Sequence, residues 1–448
     1  MSFFHFDKLM HAEQSLGATA TPWLCARSAM AGGVTWWVNE WEGIMHHRLT
    51  KTAMQAAILV GSILGTVVAG SAGGFVEQDL VANKSPLTDS NGISHAPAHV
   101  DPNLLNAWGL TASSTSPFWV SDNGAGVATL YDAAGIARSL VVSIPAPTIP
   151  PTPLNNKGAP TGVVFNIAAS SGAFPISGFD KNGKPLIAAA QFLFATEDGT
   201  ILGWNSNVFA SGDSNTTPPS THAIIVVDNS PSRAVYKGLA IATDAVGTTR
   251  LYATNFRAGT VDVFTTNFAP ATPPGAFTDP RLPRGYAPFN IVPIGSGSPS
   301  GLASAAKFVV TYAVQDATKH DDVAGMSHGI VNTFDLGGES FHRLIQHGQL
   351  NSPWGVALAP ASFGALSNQL LIGNFGNGHI NAYNPTTGEF IDKMRNPQGQ
   401  AIVIDGLWSL RVGSNTAGSA NFGPNTVFFT AGPNGEQDGL FGAITSSP

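Results

Sequence analysis

The chain reads as an all-β protein, a six-bladed β-propeller built from four-stranded antiparallel blades. Three observations lead there. A hairpin recurs six times, an opening strand with a small residue recurs six times, and the last unit is one strand short.

The hairpin is clearest at residues 251–264, LYATNFRAGTVDVF. Leu251, Ala253, Val261 and Val263 keep the two-residue apolar period of strands, and residues 255–259 carry turn chemistry. Copies with drift stand at 119–131, 193–204, 309–334 (with a long insertion), 370–383 and 427–444. The opening strands carry a bulky or polar residue (Trp108, Thr161, Lys237, Phe289, Trp354, Trp408) before a small one (Gly109, Gly162, Gly238, Asn290, Gly355, Ser409). A small residue suits a crowded axis where strands from all units converge. The spacing leaves room for four short strands per unit, and six such units stacked around an axis make a propeller. A β-sandwich or two separate barrels would not explain six hairpins in register. The last unit runs out near Ile444 with three strands. Phe75–Ala82, a lone strand far upstream, is expected to supply the fourth beside residues 440–444 and close the ring.

Composition agrees. The 448 residues include 50 Gly and 31 Pro but only 11% charged residues, which suits tight turns and short strands better than long amphipathic helices. A net charge of -7 without a Lys/Arg cluster argues against nucleic acid and anionic membrane surfaces as partners. The expected organisation is residues 1–74 outside the fold and 75–448 as one propeller. Arg48 and Lys51 precede an apolar run from 53 to 69, followed by small residues at 70–74. This is the layout of a secretory signal, expected near residues 45–72 with cleavage after Ala72 and export to the periplasm or beyond. A membrane span fits less well, because Gln55, Ser62 and Thr66 interrupt a short run. Met45 is then an alternative start to Met1. The single cysteine, Cys25, lies upstream, so the mature chain needs no disulfide.

The chemistry-bearing residues fall on one face. Aligning the hairpins puts Asn123, Glu197, Asn255 and Asn374 at the ends of second strands, with Ala313 and Ala431 in the other two blades. Such a ring of oxygens suits Ca²⁺ or another divalent cation, with waters completing the shell. Tight turns also demand Asn and Asp, so turn chemistry is the competing reading. The insertion at 314–328 gathers Asp316, Lys319, His320, Asp321 and Asp322 in a chain otherwise poor in charge. Asp316, His320 and Asp322 are the candidates for acid–base work, and Asp321 for the binding face. Asp405, Glu436 and Asp438 extend the acidic face, while His379 reads as structural. There is no G-x-S-x-G, no H-E-x-x-H and no phosphate-binding glycine loop.

The motifs NAWGL, FWVSDNGAGVATLY, LYATNFRAGTVDVF, DATKHDDVAG, NSPWGVALAP and IDGLW resemble an uncharacterised family of secreted bacterial proteins, over residue 75 to the end. Some of its members carry a C-terminal sorting tail, which this sequence does not show. More distantly, the blades are similar to gluconolactonase-type and NHL-repeat propellers. The former resemblance implies an axial divalent cation, carried here to Glu197, Asn123, Asn255 and Asn374. Two functions follow as expectations. One is a secreted ligand-binding or scaffold protein whose ligand the sequence does not name. The other is a metal-assisted hydrolase of a lactone or other ester.

Overall fold

The computed structural model describes residues 73–147, 157–213, 215, 217–295 and 307–447. The extension and the signal-like segment up to residue 72 lie outside the described residues. Among those described, no helix is long and apolar enough to cross a membrane.

The strands form the six four-stranded blades that the repeats predict. Blade one is Ala107–Thr111, Phe118–Asp122, Val127–Tyr131 and Val142–Ser143. Blade two is Pro160–Phe165, Phe192–Thr196, Thr200–Trp204 and Ile224–Asp228, with an added hairpin, Pro175–Phe179 with Pro185–Ala189, between its first two strands. Blade three is Tyr236–Thr243, Thr249–Asn255, Thr260–Phe264 and Pro270–Ala271. Blade four is Tyr286–Ile294, Lys307–Val314, Ile330–Phe334 and His342–Gln346. Blade five is Pro353–Leu358, Leu370–Asn374, Ile380–Tyr383 and Phe390–Lys393. Blade six is Leu407–Val412, Thr426–Ala431 and Leu440–Ser446, completed by Phe75–Ala82.

The closing strand pairs antiparallel, from Phe75 opposite Ser446 to Ala82 opposite Leu440, with a bulge between Asp79 and Val81. Sequence and structure agree here because an unpaired row of N–H and C=O groups on the last blade has no other strand to satisfy it.

Blades stack face to face, so their inner strands are buried on both sides. Phe118–Asp122 and Phe192–Thr196 are buried throughout. Aromatic pairs fill the gaps between blades. Trp119 meets Phe192 at 4.1 Å between ring centres, Tyr252 meets Phe308 at 4.6 Å, and Phe118 meets Phe428 at 4.4 Å. Each such pair contributes about 0.5–1.5 kcal/mol beyond its buried area. Hydroxyls add polar stitches: Thr254 Oγ1 donates to the Phe289 carbonyl at 3.1 Å, and Thr430 Oγ1 to the Trp108 carbonyl at 2.5 Å.

The small residues of the opening strands are where the blades converge. A Cβ on Gly162 would lie 2.5 Å from the Leu239 nitrogen, and one on Gly238 2.4 Å from Asn290 Oδ1. Both contacts are shorter than real Cβ atoms allow. One residue earlier, the bulky partners pack on each other around the axis. Trp408 stacks on Trp108 at 3.6 Å and on Phe375 at 4.0 Å, with Phe289 and Trp354 at its edges. This aromatic layer divides the axial region. Beyond it, further along the opening strands, lies a cavity of about 140 Å³ lined by residues such as Leu110, Leu239, Ile291, Val356 and Arg411.

Candidate functional site

Strand pairing sets which residues face the axis. Asn255 sits opposite Tyr236 and Asn374 opposite Pro353, level with Asp122 opposite Ala107 and Thr196 opposite Pro160. The residue that then bonds back to the strand entry is Asn123 in blade one, Glu197 in blade two, Phe256 in blade three and Phe375 in blade five. Their backbone N–H groups donate to Asn106, Ala159, Val235 and Ser352 carbonyls at 2.8–3.0 Å. The sequence alignment of hairpins is therefore one residue out in blades three and five. In a strand a one-residue slip reverses the face. Asn123 and Glu197 come together, and aromatic rings occupy the matching places in blades three and five.

Asn255 engages both ends of its amide in its own blade, whereas Asn374 engages its NH2 and keeps a buried Oδ1 with no hydrogen-bond partner. Asn255 Oδ1 accepts from the Ala258 N–H at 3.2 Å and its Nδ2 donates to Asp262 Oδ2 at 3.0 Å. Asn374 Nδ2 donates to the Gln349 carbonyl at 2.7 Å and to Asn377 Oδ1 at 3.1 Å. These are the turn contacts that the residue types also allowed.

Across the axis a different network forms. Trp408 Nε1 donates to Asn106 Oδ1 at 3.0 Å, and Asn106 Nδ2 donates to Glu436 Oε2 at 2.6 Å and to Asn123 Oδ1 at 3.2 Å. Asn123 Nδ2 donates to Glu197 Oε2 at 2.9 Å. Lys237 Nζ donates to Glu197 Oε1 and, at 3.3 Å, to Asp321 Oδ1. His320 Nδ1 shares the same Asp321 oxygen at 2.9 Å. Four of the six blades and the blade-four insertion contribute to one hydrogen-bonded belt above the aromatic layer.

Lys237 is its centre. The side chain is buried, and Nζ lies 4.9 Å from the centre of the Trp108 ring and 5.9 Å from that of Phe256. Burial opposes its charge, but the Glu197 and Asp321 carboxylates outweigh burial and hold its pKa above the ordinary value. Sequence reasoning placed Lys237 in the opening strand without assigning it a role. Its signal was that it is the only charged residue among the six bulky or polar openers.

The insertion folds over this face as expected of it. Gln315 pairs with Asp322, Gln315 Nε2 donates to the Phe256 carbonyl at 2.5 Å, and Arg257 Nη1 donates to the Thr318 carbonyl at 2.7 Å. Asp316 caps its own loop, accepting from the His320 N–H at 2.8 Å and the Thr318 hydroxyl at 2.6 Å. Asp321 is lowered to about 2, first by the His320 hydrogen bond and then by the Lys237 and His320 charges. His320 is raised, chiefly by that same bond. Asp322 is half-buried, and desolvation raises it. Asp405 works as a scaffold group, accepting from the Ser90 and Asn434 N–H groups at 3.0 and 2.9 Å. Glu436 is pushed up to about 7, by burial first and by the Glu197 charge second.

Of the four-oxygen ring carried from the sequence, Asn123 and Glu197 meet in this network, while Asn255 and Asn374 stand outside it. A smaller set does gather: one donor atom each from Glu197, His320 and Asp321 lie within 4.8 Å of one another.

No family model matches the chain. An uncharacterized protein of Acanthamoeba polyphaga mimivirus is 29% identical over 352 residues, covering 78% of this chain and 76% of that protein. This relative is viral, where the motif resemblance pointed to bacterial proteins. Among solved structures, virginiamycin B lyase from Staphylococcus aureus is similar at 10% identity with a TM-score of 0.40, covering 83% of this chain and 99% of that one. The calcium-binding protein regucalcin from Agrobacterium tumefaciens is similar at 10% identity with a TM-score of 0.37, covering 77% and 92%. The strand pairing above, independent of these likenesses, makes the chain a six-bladed propeller.

Proposed function

We propose that this is an exported ligand-binding propeller whose belt above the aromatic layer takes a small cationic or hydrogen-bond-donating ligand. The observation that carries the reading is a surplus of carboxylate around a built-in cation. Glu197, Asp321 and Glu436 face one buried ammonium and one imidazole, and Asp321 and His320 are the solvent-exposed members. Lys237 fixes Glu197 and Asp321 Oδ1 in place, and the second oxygen of the exposed Asp321 is left to accept from a donor in solvent. Amides of Asn106 and Asn123 hold the carboxylates from the other side, so the belt binds without first having to order itself. Support for export is the signal-like layout before the propeller and the absence of cysteine after it.

A second reading, a metal-assisted ester or lactone hydrolase, is favoured by the Glu197, His320 and Asp321 donors alone. They would hold the ion, and a bound cation would polarise a carbonyl. Titration calorimetry with Ca²⁺ and, separately, putrescine tests both readings. Binding of putrescine lost in Glu197→Gln supports the first. Ca²⁺ binding lost in the same variant, together with ester turnover, supports the second. Heat from neither ligand rejects the belt as a site of this kind.

A further inference from the structure

A second cluster lies away from the axis, on the strand that closes the ring. Glu77 and Asp79 stand two apart on Phe75–Ala82 and so share a face. The small hairpin of Leu87–Thr88 with Ser94–His95 folds over that face and is pinned by Leu87, which is fully buried. It delivers His95, whose Nδ1 lies 3.0 Å from Asp79 Oδ2. Donor atoms of Glu77, Asp79 and His95 all fall within 4.8 Å of one another.

Behind the imidazole stands Asp89. Its Oδ1 is used by the hairpin turn, accepting from the Asn91 and Ile93 N–H groups at 2.9 and 2.7 Å. Its Oδ2 has no hydrogen-bond partner, although the side chain is fully buried, and it points at His95 Nε2 from 3.5 Å. Asp79 Oδ1 is likewise buried without a partner. Leaving a buried carboxylate oxygen unsatisfied is costly. One imidazole, even protonated, offsets only one of three carboxylates.

We propose that Glu77, Asp79 and His95 form a site for a first-row divalent cation such as Zn²⁺, with Asp89 as the carboxylate that orients the histidine from behind. The donor chemistry fits, one imidazole nitrogen with carboxylate oxygens. Two ligands about 2.0–2.2 Å from one ion stand about 3 Å apart at an octahedral angle and about 3.4 Å apart at a tetrahedral one, so the 3.0 Å between His95 Nδ1 and Asp79 Oδ2 needs little or no opening to admit the ion. Asp89 then accepts the Nε2–H, fixing the tautomer that turns Nδ1 to the ion. The ion ties the closing strand to the hairpin that covers it. This site is separate from the belt and does not depend on the function proposed for it.

The test is Zn²⁺ added to chelator-stripped full-length protein, followed by calorimetry and thermal unfolding. The expected result is one site outside the belt, retained in Glu197→Gln, with a raised Tm. Glu77→Gln should abolish or strongly weaken it, and Asp89→Asn should weaken it about 10–100-fold with all three ligands intact. Co²⁺ bound in place of Zn²⁺ should give a visible absorption band that His95→Gln removes. If His95→Gln does not fold, Glu77→Gln and Asp89→Asn decide. Unchanged Zn²⁺ affinity in Glu77→Gln, or no Tm shift in the wild type, overturns the site and leaves His95 as an imidazolium held between two aspartates.

Discussion

The Lys237 ammonium ends against the Glu197 carboxylate with the Trp108 ring 4.9 Å away, a pair with the lysine fully buried. Breaking one half of such a pair strands the other charge. Lys237→Met should therefore cost about 3–5 kcal/mol in urea unfolding. The double variant Lys237→Met with Glu197→Gln should recover a large part of that loss. A double variant no better than the single one would mean that packing, not charge, sets the cost.

Asn123 and Asn255 should separate in their effects. Asn255→Ala loses the turn contacts to Ala258 and Asp262 and should cost about 1–2 kcal/mol without altering ligand affinity. Asn123→Ala frees Glu197 Oε2 and should change affinity at the belt more than stability. Parallel melting and binding curves for the two variants check this, and the reverse pattern would restore Asn255 to the site.

Glu436 gives a pH signature. Its pKa is raised from 4.5 to about 7, so between those values the folded protein holds a proton that the unfolded chain has lost. Its contribution is full below about pH 4.5 and is lost as the pH climbs to about 7. Glu436→Gln, neutral at every pH, should flatten the decline in Tm between pH 5 and pH 8. An unchanged slope would place the titration elsewhere.

Trp408 holds the layer beneath the belt, stacked on Trp108 and Phe375 and bonded to Asn106. Trp408→Ala should cost about 3–5 kcal/mol. Trp408→Phe should cost less and loosen the Asn106 amide, detectable as weaker binding at the belt. If both variants bind ligand like the wild type, the layer supports the fold alone.

The fold was legible because period-two hairpins and their spacing are local, and the missing strand was a simple deficit that Phe75–Ala82 matched. The candidate site was only half legible. Asn123, Glu197, His320 and Asp321 meet as a charged face should, but register in a tight turn depends on which residues bond back to the strand entry. Turn letters alone did not separate Asn255 from Phe256. Lys237 went unassigned because its partners come from other blades, at separations no local pattern encodes. Asp79 and His95 are hidden for the same reason, since a hairpin of two-residue strands leaves no periodic trace.

The pairing of Phe75 with Ser446 also has a temporal side. During synthesis the first strand of the domain leaves the ribosome long before its partner exists. At about 5–20 residues per second the wait is on the order of tens of seconds. Five blades can form in order in that time, while both future edges of the ring stay open. The last step of folding is thus set by the arrival of Leu440–Ser446, and a chain cut short within blade six would have five blades shaped but the circle broken.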